Sequence, residues 1–219
     1  MQSSTEEDYL KAIFKLNINN KNGVSTNSIA KEINTKASSV TDMIKKLSEK
    51  GLVNYIKYQG STLSKEGRVI ALKIIRKHRL WEVFLVEKLK FKWDEIHDIA
   101  EQLEHIKSPE LVDRLDKHLG FPKTDPHGDP IPNKQGEFTV QEIVTLNNLK
   151  INDKGNLISV SEDSKEFLNY LDGIQLKLGS SIELIDLFEF DKSLKIKVNN
   201  NLEVTISQKV ASNLNVSKI

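Results

Sequence analysis

The segment V-S-T-N-S-I-A-K-E-I-N-T-K-A-S-S-V-T-D-M-I-K-K-L, residues 24–47, predicts a helix-turn-helix. Ser25 or Thr26 can cap a short first helix, because a hydroxyl at this position accepts a hydrogen bond from a free backbone N–H. A second helix is expected from Ala37 to Leu47, with small polar residues at its start and lysines at its end. Its core-facing side is expected to consist of Val40, Ile44 and Leu47.

A hairpin and a long helix follow the helix-turn-helix. Gly51 should end the second helix, residues 52–57 and 62–63 read as two short strands, and Ser64 can cap the next helix. This order is typical of a winged helix, which either binds DNA or serves only in protein contacts. Residues 1–72 contain 11 Lys or Arg and 7 Asp or Glu, a balance of +4. The positive balance favours DNA binding.

The stretch D-E-I-H-D-I-A-E-Q-L-E-H, residues 94–105, is a candidate metal-binding region. We expect it to form a helix of about three turns. Residues three or four apart share a helix face, so two imidazoles and two carboxylates should project from one side. Mixed oxygen and nitrogen donors of this kind bind divalent first-row metals, although a solvated charged face is the alternative. The four side chains are His97, Glu101, Glu104 and His105.

The amino-acid composition limits both the ligands and the location. The 219 residues include no cysteine, which excludes disulfides and thiolate metal ligands. The remaining donors favour manganese, ferrous iron, cobalt or zinc over softer ions. No apolar run approaches the roughly 18 residues that span a membrane, and the polar start does not resemble a secretory signal. We therefore expect a cytoplasmic protein with no membrane partner.

The long helix that begins after Ser64 carries two further candidate ligands. His78 and Glu82 are four residues apart and therefore share a face, although such a pair is often only a helix-surface contact. On the same helix, the apolar run from Leu80 to Val86 indicates a buried or dimerising face. Residues 73–136 are electrically balanced, with 12 Lys or Arg and 12 Asp or Glu.

The final part of the chain has a different character. Residues 122–136 hold four of the five prolines and should form an extended link, in which we expect His127 to be a structural loop histidine. Residues 137–219 have 9 Lys or Arg against 12 Asp or Glu, a balance of −3. Short alternating segments predict a small β-barrel interrupted by one helix. The strands are expected at 157–160, 182–187, 194–198 and 202–206, and the helix at 165–171.

Several motifs together resemble the DtxR/MntR family of metal-dependent transcriptional repressors, over almost the whole chain. They are E-D-Y-L-K at 7–11, R-K-H-R-L at 76–80, L-E-H at 103–105 and H-G-D-P-I-P at 127–132. The resemblance is strongest to the three-domain, manganese-responsive branch. It implies a mainly α chain with a small β part. The implied domains are an N-terminal winged helix-turn-helix (1–72), a helical metal-binding and dimerisation domain (73–136) and a C-terminal SH3-like, FeoA-type β-barrel (137–219).

The resemblance also implies two metal sites. Iron-responsive members carry cysteine where this chain has Glu101, and a hard carboxylate suits manganese better than a thiolate does. Two-domain manganese members have an acid in place of Lys11, which favours two separate sites here. The primary site would consist of Asp8, Glu101, Glu104 and His105. The second site would consist of His78, Glu82, His97 and Asp163, with Glu166 as a weaker candidate for the last position.

The implied function is a homodimeric repressor that binds a double-stranded DNA operator of metal-uptake genes, with Mn2+ as co-repressor. Fe2+ is an alternative, and Zn2+ or Co2+ can substitute in vitro. Metal bound between Asp8 and the dimerisation domain would fix the angle between two domains, and hence the spacing of two recognition helices. The implied base or phosphate contacts are Lys36, Ser38, Ser39, Thr41 and Asp42, and the implied phosphate contacts are Lys45, Lys46 and Lys57.

Two other functions are compatible with parts of the sequence. A carboxylate and histidine metalloenzyme would need a recognised motif such as H-E-x-x-H, or a Glu-x-x-His element on each of two helices. Neither pattern is present, and an enzyme leaves the winged helix unexplained. A regulator that senses an organic ligand would make the acids merely structural. Only a metal-dependent repressor requires metal for its affinity for DNA. This requirement therefore distinguishes it from the metalloenzyme and from the regulator that senses an organic ligand.

Overall fold

The computed structural model describes residues 2–17, 23–56, 59–137 and 143–218. The chain forms two compact units. The first consists of residues 1–78, 101–113 and 132–138, and the second of residues 79–100, 114–131 and 139–219. These units do not follow the borders of the three domains implied by the sequence, which stay a prediction. None of the helices in the described residues is long and apolar enough to cross a membrane.

The helix-turn-helix and the hairpin predicted from the sequence are confirmed in the first unit. The elements are α1 (Ser4–Asn17), α2 (Thr26–Glu32), α3 (Ala37–Glu49), β1 (Val53–Ile56) and β2 (Gly60–Leu63). The two strands are antiparallel, with Val53 paired with Leu63. The predicted apolar face of α3 is fully buried and packs with α1 and α2. The shared core includes Leu10, Ile13, Ile29, Val40, Ile44 and Leu47.

Serine side chains cap α1 and α2. Oγ of Ser25 accepts a hydrogen bond from the backbone N–H of Ser28 at 3.0 Å, as predicted. Ser3 occupies the capping position of α1. The backbone N–H of Glu6 donates to Oγ of Ser3 at 3.3 Å, and the Glu6 carboxylate accepts from the N–H of Ser3 at 3.2 Å. This reciprocal pair is a capping box.

Three further helices follow the hairpin: α4 (Lys65–Glu87), α5 (His97–Leu103) and α6 (Pro109–His118). The helix predicted over residues 94–105 is shorter than expected, because α5 has seven residues and ends before Glu104. Glu104 and His105 lie in the turn that follows. In the second unit, Ile96 and Ala100 pack with Leu85 of α4 in a small apolar cluster.

The second unit contains a six-stranded antiparallel sheet. Its strands are β3 (Val144–Thr145), β4 (Lys154–Val160), β5 (Ser181–Leu187), β6 (Leu194–Val198), β7 (Leu202–Ile206) and β8 (Leu214–Lys218). Their order in the sheet is β3-β8-β4-β5-β6-β7. The predicted helix is α7 (Lys165–Gly173), and a short α8 (Gln208–Ala211) precedes β8. The four predicted strands are confirmed as β4 to β7, whereas β3 and β8 were not predicted.

Candidate metal centre

One group of candidate ligands lies in the first unit, where α1 and the turn after α5 supply charged side chains. Because residues three apart share a helix face, Asp8 and Lys11 project from the same side of α1. The turn after α5 supplies Glu104 and His105. Donor atoms of Asp8, Glu104 and His105 all lie within 4.8 Å of one another. Three members of the primary site implied by the sequence are therefore close together.

The imidazole of His105 connects two neighbouring acids of α1. Its Nδ1 lies 2.8 Å from Oε2 of Glu7, and its Nε2 lies 3.0 Å from Oδ1 of Asp8. An ionised Glu7 only accepts hydrogen bonds, so Nδ1 carries the proton and a neutral ring leaves a lone pair on Nε2. Oδ1 of Asp8 is buried and makes no hydrogen bond to any residue that the structure describes. Two lone-pair donors therefore lie side by side.

The carboxylate of Glu104 is completely buried between two nitrogen donors. Nζ of Lys11 donates to Oε1 and Oε2 of Glu104 at 2.7 and 2.8 Å, and also to Oε1 of Glu101. Nδ1 of His78, which the sequence assigned to the second site, lies 2.6 Å from Oε2 of Glu104. His78 thus contacts a primary-site residue, and Glu101 is held by Lys11.

Burial and neighbouring charges shift the pKa values of this group in opposite ways. Burial raises the pKa of Asp8, and the neighbouring His105 and Lys11 side chains offset this only in part. Burial lowers the pKa of Lys11, but the carboxylates of Glu104 and Glu101 outweigh it and raise the pKa overall. The raised pKa of Asp8 means that its carboxylate lacks sufficient positive charge nearby.

The residues of this group fit a divalent metal ion. Donor atoms that share one such ion lie within about 4.4 Å of one another, twice a metal–ligand bond of about 2.2 Å, and Oδ1 of Asp8 lies 3.0 Å from Nε2 of His105. Carboxylate and imidazole donors suit manganese, iron, cobalt or zinc. The unpartnered Oδ1 of Asp8 beside Nε2 of His105 is the specific feature that a cation would satisfy.

A second group of candidate ligands is buried in the second unit. Donor atoms of Glu82, Asp125 and His127 lie within 4.8 Å of one another, and all three residues are buried. Nδ1 of His127 lies 3.7 Å from Oε1 of Glu82. Burial, together with the charges of Glu82 and Asp129, raises the pKa of Asp125 well above its usual range, against the opposing effect of Arg79. Arg79 lies 3.3 Å from Oδ2 of Asp125 and also pairs with Asp129.

The D-P-H-G-D-P-I-P loop is held rigidly around His127. Nε2 of His127 donates to the backbone carbonyl of Trp93 at 2.9 Å, and the two rings stack. The carbonyl of His127 accepts from the N–H of Val160 on β4 at 3.0 Å. Gly128 has a φ of +85°, and a Cβ there would lie 1.9 Å from the carbonyl oxygen of Ile158. Only glycine allows this approach. Because Nε2 of His127 is bound to Trp93, Nδ1 is the ring nitrogen that faces Glu82.

The other second-site candidates of this unit lie beside Glu82. Nδ1 of His97 lies 4.0 Å from Oε1 of Glu82 and 3.5 Å from Oδ2 of Asp163. The Asp163 side chain is 45% exposed, and Glu166 is exposed on the first turn of α7. Sequence reasoning missed Asp125 as a candidate and treated His127 as structural only. The motif at residues 127–132 contained His127 but not Asp125, and nothing in the sequence placed either residue next to Glu82.

The outer face of α3 carries the candidate DNA contacts. Thr41 is half-buried and its hydroxyl donates to the backbone carbonyl of Ala37 at 3.0 Å. Nζ of Lys46 lies 3.0 Å from Oε1 of Glu6, and Nζ of Lys50 donates to the same oxygen at 2.7 Å. Lys57 lies outside the described residues. The exposed candidates on this face are Lys36, Ser38, Ser39, Asp42, Lys45 and Lys46.

Three family models match consecutive parts of the chain. The N-terminal DNA-binding domain of iron-dependent repressors matches residues 1–61. The metal-binding and dimerisation domain of the same repressors matches residues 64–133. The FeoA domain matches residues 144–218. The winged helix, the region of the candidate ligands and the six-stranded sheet thus each correspond to one domain of the same architecture.

Individual repressors and regulators are also similar to the chain. IdeR, the iron-dependent repressor of Mycobacterium tuberculosis, is 33% identical over 130 residues, which cover 58% of this chain and 55% of that protein. The transcriptional regulator MntR of Oceanobacillus iheyensis is 32% identical over 125 residues, which cover 57% of this chain and 84% of MntR. A solved manganese-dependent transcriptional repressor in complex with manganese is 35% identical, with a TM-score of 0.92 over 98% of this chain and 100% of that one. The chain belongs to the DtxR/MntR family of metal-dependent, DNA-binding transcriptional repressors and not to a class of enzymes.

Proposed function

We propose that the chain represses metal-uptake genes in response to manganese, which binds at Asp8, Glu101, Glu104 and His105 and acts as co-repressor. The repressor binds a double-stranded DNA operator as a homodimer, in keeping with the match to a dimerisation domain. Repression requires the metal because Asp8 belongs to the helix that packs against the helix-turn-helix, whereas Glu104 and His105 follow α5. A divalent cation supplies the positive charge that joins these ligands.

The observation that carries the proposal is the buried Oδ1 of Asp8, which has no hydrogen-bond partner among the described residues and lies 3.0 Å from Nε2 of His105. Both are aimed at one region together with the buried carboxylate of Glu104. The donors are oxygen and nitrogen without sulfur, which favours manganese among the ions that the cell supplies. The similarity to a solved repressor in complex with manganese supports the same choice. Zn2+ and Co2+ are expected to substitute in vitro, since affinity follows the Irving–Williams order.

The acids at the start of α1 provide a route from the metal ligands to the recognition helix α3. Glu6 accepts hydrogen bonds or ion pairs from Lys46 and Lys50 at the end of α3, while Asp8, two residues further along α1, belongs to the metal site. A change in the position of α1 therefore reaches α3 directly. In a dimer, the placement of two such helices determines whether both fit successive major grooves.

The DNA-contacting residues of the proposal follow from exposure and chemistry. Small polar residues at the start of α3 can reach base edges, whereas lysines at its end reach phosphates. Because Lys46 pairs with Glu6, Lys45 is the lysine of α3 more available to DNA. The proposed set is Lys36, Ser38, Ser39, Thr41, Asp42, Lys45 and Lys46, together with Lys57, which lies outside the described residues.

A second metal site is proposed around Glu82. Asp125 and His127 contribute from the buried loop, His97 lies 4.0 Å from the same carboxylate, and Asp163 lies 3.5 Å from His97. His78, which the resemblance placed here, also contacts Glu104 of the primary site. We keep it as a candidate for the second site, with Glu166 as the weakest. Loss of this site should weaken repression without abolishing it, since it lies outside the primary ligand set.

Iron is the alternative co-repressor, because IdeR is similar over more than half of the chain. A fluorescence-anisotropy titration with a labelled duplex from the promoter of the chain's own operon tests both metals. Specific binding should be absent in EDTA, return with Mn2+, and be lost again in Asp8→Asn but not in the control Glu189→Ala, at an exposed position outside both proposed sites. Equal affinity with and without metal would contradict the proposal. Activation by anaerobic Fe2+ at lower free concentration than Mn2+ would support iron.

A further inference from the structure

Lys11 binds the same carboxylates that belong to the proposed primary metal site. It follows Asp8 by one turn of α1, and its side chain is only 7% exposed. Its ammonium group makes three contacts, two to the oxygens of Glu104 and one to Oε1 of Glu101. An ammonium group has three N–H donors, so every donor of Lys11 is directed at a carboxylate.

Few acceptor positions of Glu104 remain for a metal ion. A carboxylate has about four lone-pair positions. Lys11 uses one on each oxygen, and Nδ1 of His78 lies 2.6 Å from Oε2, which fills a third. One position on Oε1 remains. A metal ion that coordinates Glu104 through both oxygens must therefore compete with Lys11 or His78 for Oε2.

We propose that Lys11 is a tethered competitor for cations at the Asp8, Glu104 and His105 group, and that it sets the concentration at which metal binds. The inference rests on the proposed function, since it needs a metal site at this place. Lys11 already supplies positive charge to Glu101 and Glu104, so the first unit folds without requiring metal to offset their repulsion. A divalent ion is repelled by the ammonium group and competes with it for the oxygens of Glu104. The site consequently responds only when metal is abundant.

A competing lysine and a merely structural lysine predict opposite effects on metal affinity. If Lys11 only positions the carboxylates, its removal should disorder the ligands and weaken metal binding. If Lys11 competes with metal, its removal should tighten metal binding while the chelator-treated protein becomes less stable. In that case the same substitution lowers the stability of the metal-free protein and raises its affinity for metal.

The test uses the full chain and Mn2+ alone, with affinity measured by competition against a fluorescent chelator and Tm measured in EDTA. Lys11→Met removes the charge and keeps the length of the side chain, and Lys11→Gln keeps a hydrogen-bond donor in case the first variant fails to fold. Lys11→Arg keeps the charge. Lys15→Met is the matched control, because Lys15 lies one turn further along α1 and is exposed.

Lys11→Met and Lys11→Gln should tighten binding at the affected site by roughly tenfold or more and lower Tm in EDTA. Lys11→Arg and Lys15→Met should bind Mn2+ like the wild type. Unchanged or weaker binding in both neutral variants, while Asp8→Asn weakens binding in a parallel experiment, would overturn the competitor role and leave the metal site standing. Binding that Asp8→Asn does not affect would instead overturn the proposed site, and the competitor role with it.

Discussion

Oδ1 of Asp8 lies 3.0 Å from Nε2 of His105, yet no hydrogen bond joins the two atoms. On the other side of the ring, Nδ1 lies 2.8 Å from Oε2 of Glu7, an acceptor that favours the proton on Nδ1 and the lone pair on Nε2. Glu7 thus orients His105 in the way that second-layer carboxylates orient metal-binding histidines. Oδ1 of Asp8 and Nε2 of His105 are therefore the two atoms of the site best placed to bind a cation.

Replacing Glu7 by Ala should weaken Mn2+ binding at the primary site by about 10- to 100-fold. The variant loses the acceptor that fixes the ring and its proton, while all proposed ligands remain. Competition with a fluorescent chelator measures the effect, and Glu32→Ala on the exposed face of α2 serves as control. Wild-type affinity in Glu7→Ala would show that the ring is oriented by other contacts.

Replacing Glu101 by Cys should shift the metal response from manganese toward iron, cobalt or zinc, because a soft thiolate takes the place of a hard carboxylate. The ratio of the Mn2+ and Co2+ midpoints in a DNA-binding titration reports this shift. Glu101→Asp keeps the hard donor and should keep the order of the wild type. If the cysteine variant retained the wild-type ratio, Glu101 would not be a ligand.

Replacing Asp163 by Ala should lower the number of tightly bound Mn2+ ions per chain from two to one, and Glu82→Ala and His127→Ala should do the same. All three side chains belong to the proposed second site around Glu82. Calorimetry gives the stoichiometry, and Glu166→Ala should retain two ions. Two unchanged sites in Asp163→Ala, with one lost in His127→Ala, would restrict the site to the buried loop.

Replacing Glu6 by Gln should lower the free energy of unfolding at neutral pH by about 1 kcal/mol, a value reduced by solvent screening of the two exposed lysines. Hydrogen bonding from Lys50 and Lys46 outweighs burial and lowers the pKa of Glu6 from 4.5 to about 2. An acid with a lowered pKa stabilises the folded state above its unfolded-state pKa, and this contribution disappears as the pH falls through the folded-state pKa.

The difference between wild type and Glu6→Gln should therefore be constant above pH 4.5 and shrink between pH 4.5 and about 2. Urea titrations of the chelator-treated proteins at several pH values measure it. Glu49→Gln, at an exposed position on α3, is the control. A difference that grows on acidification would contradict the assignment of the lysine pairs.

Local signals predicted the first unit well because they act within a few residues of the chain. The Ser25 cap and the apolar spacing of Val40, Ile44 and Leu47 are enough to define α2 and α3. The end of α5 depended on distant contacts instead. Periodicity continued the helix to His105, whereas Lys11 and His78 hold Glu104 in a turn outside it.

Contacts between distant residues also limited the prediction of the metal ligands and of the sheet. The motifs around Asp8 and His105 could be matched to a family, so three primary ligands were predicted and lie together. The proximity of His127 to Glu82 depends on the docking of its loop on β4, which no local pattern reveals. β3 and β8 were missed because the first has only two residues and both pair with distant segments.

The central claim is that metal bound at the Asp8 and His105 site is coupled to DNA affinity. Mn2+ affinity measured with and without saturating operator duplex tests it most directly, because coupling between two ligands must be reciprocal. The operator should tighten Mn2+ binding by the same factor by which Mn2+ tightens operator binding, and Asp8→Asn should abolish both effects. An Mn2+ affinity that is identical with and without the operator would contradict the account.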